Sequence, residues 1–216
     1  FSEALELSDF VIIRHDVEFS VSRALKLAQL ENLKGVKSTY FFQVMSSAYN
    51  PFSNVHCEAI QQIKSLGHTV GLHLYISHLE AGNLKSLHNE LKKQKILFEA
   101  GLGLECESFS FHRPPTWALE IREDKLCNMI NAYGPSFFEF SSQPKGIKYV
   151  ADSKHTWAYG HPLEQLQEKK IQGKEALSQW LNENGLDEKR LNTMLFERLQ
   201  VELFKIEMFE DKIENK

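Results

Sequence analysis

The chain has 216 residues, 42% of them hydrophobic and 25% charged, with a formal net charge of -4. That length buries a sizeable core, and the acidic balance leaves no cationic stripe for a phosphate backbone, so no nucleic-acid partner is predicted. No apolar run approaches the roughly 20 residues that span a bilayer, so no membrane span is predicted either.

The first predicted element is a strand, the apolar run Phe10-Val11-Ile12-Ile13 closing on Arg14-His15-Asp16-Val17-Glu18. Alternate side chains share a face of an extended backbone, so Asp16 and Glu18 point the same way from the strand end. Ser20 or Ser22 can cap a helix through Leu33 that ends at Gly35, with Leu25, Ala28 and Leu33 on one side. The β-branched and aromatic run from Ser38 to Val44 reads as a second strand. Asn54 can cap a second helix carrying Ala59, Ile60, Ile63 and Leu66, stopped by Gly67. A third strand follows over Thr69 to Leu74, then a helix from about Leu84 to Ala100. Glu107 to His112 reads as a fourth strand, ended by Arg113-Pro114-Pro115. Beyond it, residues 137–140 and 147–151 read as short strands. From about Asp187 to the end the pattern is helical, with Leu191, Leu195, Leu199 and Phe209 near one stripe. Repeated strand–helix units imply an α/β fold with parallel strands, and chemistry then gathers at the strand C-termini. No repeat or low-complexity linker interrupts the chain, so it reads as one domain.

Cys57, Cys106 and Cys127 are odd in number and widely spaced, which suits reduced thiols in a cytoplasmic protein and not a disulfide frame. The opening residues carry neither a basic segment nor an apolar one, so no signal peptide is read. They also lack an initiator Met, which suggests that the natural N-terminus lies upstream.

The strand ends form a chemical set. Strand one offers Asp16 and Glu18, strand three His73 with His78 five residues on, and strand four His112 and Arg113. A carboxylate with two imidazoles is a sound ligand set for Zn2+ or a similar divalent ion. A second carboxylate beside the ion can take a proton from water, and an arginine can orient that carboxylate. Strand two ends in Gln43 and Met45, with no evident ligand. His15 flanks the carboxylates but faces the other way. His68 reads as a structural hydrogen-bonder, and His56, His88 and His155 as solvent-facing.

With these residues the chain resembles the polysaccharide deacetylases, the NodB-type domain of carbohydrate esterase family four. The branch with the nearest motifs is a bacterial one linked with surface polysaccharide biosynthesis. The resembling segments are residues 12–19, 38–42, 67–73, 110–115 and 149–153 with Trp157, inside a span of residues 10–162. The resemblance implies an irregular (β/α) barrel over residues 1–216, with residues 187–216 as a helical C-terminal segment. It implies a metal-dependent hydrolase, acting on a C–N bond other than a peptide bond, that removes an acetyl group from an N-acetylated sugar. Carried over by position, Asp16 is the general base, Arg113 its partner, and Glu18, His73 and His78 the metal ligands. His112 is a further catalytic candidate, as acid or as substitute ligand. Asp152, Trp157 and His15 line the site or its surround. The implied cofactor is a divalent ion, Zn2+ first, and the implied partner an acetylated carbohydrate. The apolar C-terminal stripe can pack on its own barrel or on a partner, so a homo-oligomer stays open.

Three departures from the family pattern stand out. Glu18 occupies the place of an Asp, and His73 and His78 are separated by four residues instead of three. The closing motif, a strand ending in Leu-x-x-His-Pro, is missing where Gln172 runs into Gly173, either deleted or omitted from the sequence; omission is the preferred reading. His161-Pro162 stands in what reads as an earlier loop. These departures motivate an alternative, a degenerate member that binds carbohydrate or acts as a scaffold without catalysis. A third reading is an amide hydrolase acting on a small non-sugar substrate.

Overall fold

A computed structural model describes Phe1 and residues 12–138, all within the first of two units of the chain, Phe1–Ile147. The elements run β1 (Arg14–Val17), α1 (Val21–Leu33), β2 (Thr39–Phe42), α2 (Asn54–Ser65), β3 (Thr69–Tyr75), α3 (Leu84–Leu102) and β4 (Ser108–His112). A short α4 (Thr116–Leu119) and the strands β5 (Lys125–Leu126) and β6 (Met129–Asn131) complete them. The sheet order is β1-β2-β3-β4-β6-β5, parallel from β1 through β4 to β6, with β5 antiparallel to β6. The α/β class and the first three strand–helix units follow the sequence expectation. Among the described residues the sheet is open, with β1 and β5 at its edges.

Local chemistry explains the helix limits. Ser20 is the N-cap of α1, its hydroxyl accepting from the Arg23 amide at 3.3 Å. Asn83 caps α3 through the Ser86 amide at 3.0 Å, and Gly103 ends that helix at φ 65, where glycine meets no Cβ penalty. The α2 cap is Ser53, one residue before the expected Asn54. Leu87, Leu91, Phe98 and Leu102 line one stripe of α3, and Ala59, Ile60 and Ile63 one stripe of α2; all are buried. Each large apolar side chain so buried contributes about 1.5–3 kcal/mol. In α1 the buried face is Val21, Ala24 and Ala28; Leu33, expected on that stripe, is 79% exposed in the last turn.

Parallel registry aligns the site. Asp16 stands level with Phe41, Phe41 with Gly71, and His73 with Ser110. A Cβ at Gly71 would meet the Phe41 ring and the Ser108 carbonyl at 2.7 Å, so only glycine lets those strands approach there. Period-two alternation puts Arg14 and Asp16 on one face of β1, and Ser108, Ser110 and His112 on one face of β4.

The region after β4 differs from expectation. Lys125–Leu126 and Met129–Asn131 form a hairpin whose loop residues, Cys127 and Asn128, both have positive φ (51 and 59). Such a two-residue loop usually carries glycine, so its signal was weak. Phe137 and Phe138 lie outside any strand, and Phe137 is buried against Ile130. Residues 2–11 and 139–216 lie outside the described residues. With them go Phe10 and Val11 of the first strand, the 147–151 strand, Asp152, His155, Trp157, His161, the Gln172–Gly173 junction and the 187–216 helix. No helix among the described residues is long and apolar enough to cross a membrane.

Candidate metal centre

Three strand ends converge on one point. Glu18 follows β1, His73 lies in β3 and His112 ends β4, and one ligand atom from each falls within 4.8 Å of the others. Glu18 Oε1 is 2.8 Å from His112 Nδ1 and 3.5 Å from His73 Nε2, and the two ring nitrogens are 3.2 Å apart. Ligand atoms bound at about 2.0–2.1 Å to one tetrahedral ion stand about 3.3 Å apart, so these separations suit a small divalent ion. In their metal-binding forms all three atoms carry lone pairs that face one another. A proton on an imidazole or a cation among them relieves that repulsion. His73 is buried, and the His112 and Glu18 side chains are 12% and 30% exposed, which leaves the group open on one side.

The electrostatics match this crowding. The hydrogen bond with His73 is the largest influence on the Glu18 carboxyl; together with positive charge on His112 and His73 it outweighs burial and holds the carboxyl below its ordinary range. Burial drives the His112 imidazole below its ordinary value. Glu18 opposes that shift, while His73 and Arg113 add to it. A neutral imidazole is the form that binds a metal.

Asp16 stands beside this group. Its Oδ1 accepts from the Ser110 hydroxyl at 3.1 Å, and its Oδ2 from Arg14 Nη2 at 3.1 Å. His73 Nδ1 is 3.9 Å from Asp16, too far for a direct hydrogen bond. Tyr49 braces the site from below. Its hydroxyl donates to the Val17 carbonyl at 2.7 Å and accepts from the Gln43 amide at 2.8 Å, which ties the β1 end to the β2 end. Gln43 is itself buried, with its side-chain amide 3.2 Å from His112 Nδ1.

The other sequence candidates are placed as follows. His78 is exposed in the turn after β3 and stacks on Tyr75 with ring centroids 5.9 Å apart; Tyr75 in turn meets His112 at 5.7 Å. The turn closed by the Leu79 amide on the Ile76 carbonyl carries His78 away from the strand direction, so it is absent from the ligand cluster. Arg113 has φ 48, in the left-handed region, and is exposed. Among the described residues the guanidinium that reaches Asp16 is that of Arg14. His15 faces α1, where its Nε2 is 2.8 Å from Glu31. His68 is buried and structural: Nδ1 accepts from the Ser38 amide at 3.2 Å and Nε2 donates to the Ala28 carbonyl at 2.9 Å. The cysteines are free, and burial pushes the Cys106 thiol up to about 12.

Sequence reasoning missed Arg14, Gln43, Tyr49 and Ser110. A signal existed for two of them: Arg14 shares strand parity with Asp16, and Ser110 shares it with His112.

No protein-family model matches the chain, and no curated protein matches it in sequence. Among solved structures, a CE4 family pseudoenzyme from Bacillus anthracis is similar at 17% identity with a TM-score of 0.42, over 56% of this chain and 42% of that one. A mutant of that pseudoenzyme gives 17% identity and a TM-score of 0.42, over 56% of this chain and 43% of its own. The Xyl-CE4 domain of a multidomain xylanase from the hindgut metagenome of Trinervitermes trinervoides is similar at 16% identity. Its TM-score is 0.39, and the match covers 51% of this chain and 53% of that one. The match spans less than two thirds of each of these chains.

Proposed function

We propose that the chain is a metal-dependent hydrolase that removes the acetyl group from an N-acetylated sugar in surface polysaccharide biosynthesis, in the cytoplasm. The observation that carries this reading is the convergence of Glu18, His73 and His112, with Asp16 beside it. In this reading Glu18, His73 and His112 hold the divalent ion, Zn2+ by the character of its nitrogen and oxygen donors. A bound ion of this kind supplies Lewis acidity to the acetyl carbonyl and lowers the pKa of water.

The chain's own residues do the rest. Asp16 takes the proton of the attacking water. Arg14 and Ser110 hold its two oxygens at 3.1 Å each, so it meets that water in one orientation. In this reading Asp16 then returns its proton to the leaving amine. Gln43, buried beside His112, is placed to hydrogen-bond the charge that develops on the carbonyl oxygen. The decisive experiment is release of acetate from chitin oligosaccharides and nucleotide-linked N-acetyl sugars by the zinc-loaded protein, with Asp16→Asn as the control. Turnover unchanged in Asp16→Asn would remove the mechanism.

A second reading, a non-catalytic carbohydrate-binding member, draws on the exposed aromatics at the same strand ends. Phe19 is 76% and Tyr75 42% exposed, and Tyr75 stacks with His78. Metal analysis of the purified protein separates the two, because the binding module carries no stoichiometric ion.

A further inference from the structure

Ser110 lies in β4 between the ligand cluster and Asp16, fully buried. Its Oγ is 2.7 Å from His73 Nδ1 and 3.1 Å from Asp16 Oδ1. A hydroxyl has one proton to donate, and a carboxylate paired with an arginine only accepts. If that proton went to His73, two oxygen lone-pair shells would face each other at the Asp16 contact. The proton therefore goes to Asp16, and Oγ accepts Nδ1–H from His73. We propose that Ser110 is a positioning residue that fixes His73 in the Nδ1–H tautomer, with Nε2 turned bare toward Glu18 and His112, and couples that imidazole to Asp16. This deepens the functional reading above and rests on it for the roles of His73 and Asp16.

The assignment accounts for both chemical states of the ring. As an imidazolium, His73 donates Nδ1–H to Ser110 and Nε2–H toward Glu18, 3.5 Å away. In the neutral ring proposed here Nδ1–H stays on the 2.7 Å contact with Ser110 and Nε2 carries the lone pair. The ring nitrogen not used for a metal is commonly tied in this way, which raises ligand basicity and sets ring orientation. Here one hydroxyl also reaches the neighbouring carboxylate. Ser108, two residues earlier on the same face of β4, supplies the contrast: it is buried, and its hydroxyl has no partner among the described residues.

The test uses the full chain, unmodified and as Ser110→Ala, Ser110→Thr and Ser108→Ala. Nitrogen-15 spectra of the His73 ring in metal-free protein, under alkaline conditions where the ring is neutral, report the tautomer directly. The expected result is Nδ1–H in the unmodified protein, in Ser110→Thr and in Ser108→Ala, and a shift toward Nε2–H in Ser110→Ala. Zinc titration against a chromophoric chelator is the second readout, with Ser110→Ala weaker by about 10–100-fold and Ser108→Ala unchanged. A Nε2–H ring in the unmodified protein overturns the assignment without recourse to any variant. So does a Ser110→Ala ring identical to the unmodified one, or a Ser108→Ala that moves it equally. If the tautomer responds as stated while the unmodified protein binds no zinc, the metal reading fails and the Ser110 assignment stands.

Discussion

Arg14 and Asp16 form an ion pair inside one strand, Nη2 to Oδ2 at 3.1 Å, with both side chains on the site face of β1. The same Nη2 donates to the Tyr133 hydroxyl at 2.7 Å, and the guanidinium lies 4.6 Å from the centre of that ring. The arginine is therefore anchored from beyond β6 before it reaches the carboxylate. A lysine keeps the charge but loses the flat guanidinium that packs by the Tyr133 ring while one of its nitrogens serves both acceptors. Arg14→Lys should lower kcat/KM of the proposed deacetylation by about 10–100-fold, the worth of a charged hydrogen bond of about 1.5–3 kcal/mol. The loss should fall on kcat, since Arg14 orients the base. Steady-state kinetics check this, and a KM effect alone would assign Arg14 to substrate binding instead.

The second prediction separates the two histidines outside β3. His112 puts Nδ1 2.8 Å from Glu18, whereas His78 stacks on Tyr75 and stands outside the ligand cluster. Removal of a direct ligand costs more than the 10–100-fold typical of an outer partner, so His112→Ala should weaken zinc by over about 100-fold. His78→Ala should leave affinity near that of the unmodified protein. Isothermal titration of both variants decides it. Equal losses would place His78 in the ligand set as well.

Glu18 permits a third test, because the deacetylase motif that the sequence resembles carries Asp there. Shortening the side chain by one methylene withdraws the carboxylate by about 1.5 Å, the length of a carbon–carbon bond. With β1 held by Tyr49 through the Val17 carbonyl, the backbone does not follow to close that gap. Glu18→Asp should therefore weaken zinc binding here by about tenfold, although Asp is the residue of the motif that the sequence resembles. Tighter binding in this variant would mean that Glu18 is a lesion and would favour the non-catalytic reading.

How much of this was legible depended on what kind of constraint each residue obeyed. Asp16, His73 and His112 were readable because parallel strand–helix units put successive strand ends on one edge, and each end carried a distinctive side chain. Strand parity was enough to find them. The choice between His78 and His112 was not readable from spacing. It depends on the direction of the turn after Tyr75, which the Leu79–Ile76 hydrogen bond and the ring stacking set. Arg113 adjoins the right strand end in sequence, yet its left-handed φ 48 leaves it exposed. Arg14 does the pairing from inside the strand. The β5–β6 hairpin escaped notice because Cys127 and Asn128 accept positive φ without a glycine to announce it.

On the other face of β1, His15 and its partners surround a second carboxylate. Glu31 of α1 is 2.8 Å from His15 Nε2 and accepts from the Tyr40 hydroxyl at 2.6 Å, with His68 Nδ1 at 3.8 Å. Burial raises the Glu31 carboxyl, but the His15 hydrogen bond and charge, then Tyr40, outweigh it and leave the group below its ordinary value. A carboxyl whose folded pKa is depressed stabilises the fold in full above its unfolded pKa. That contribution is lost as pH falls through the lower folded value. Glu31→Gln should thus destabilise by about 1.5–3 kcal/mol at neutral pH, the cost of breaking a charged hydrogen-bond set, and the deficit should shrink as acid protonates Glu31 in the unmodified protein. Urea unfolding of both proteins between neutral pH and about pH 3, below the unfolded carboxyl value, measures the difference. A deficit constant across that range would mean that Glu31 acts through packing and not through its charge.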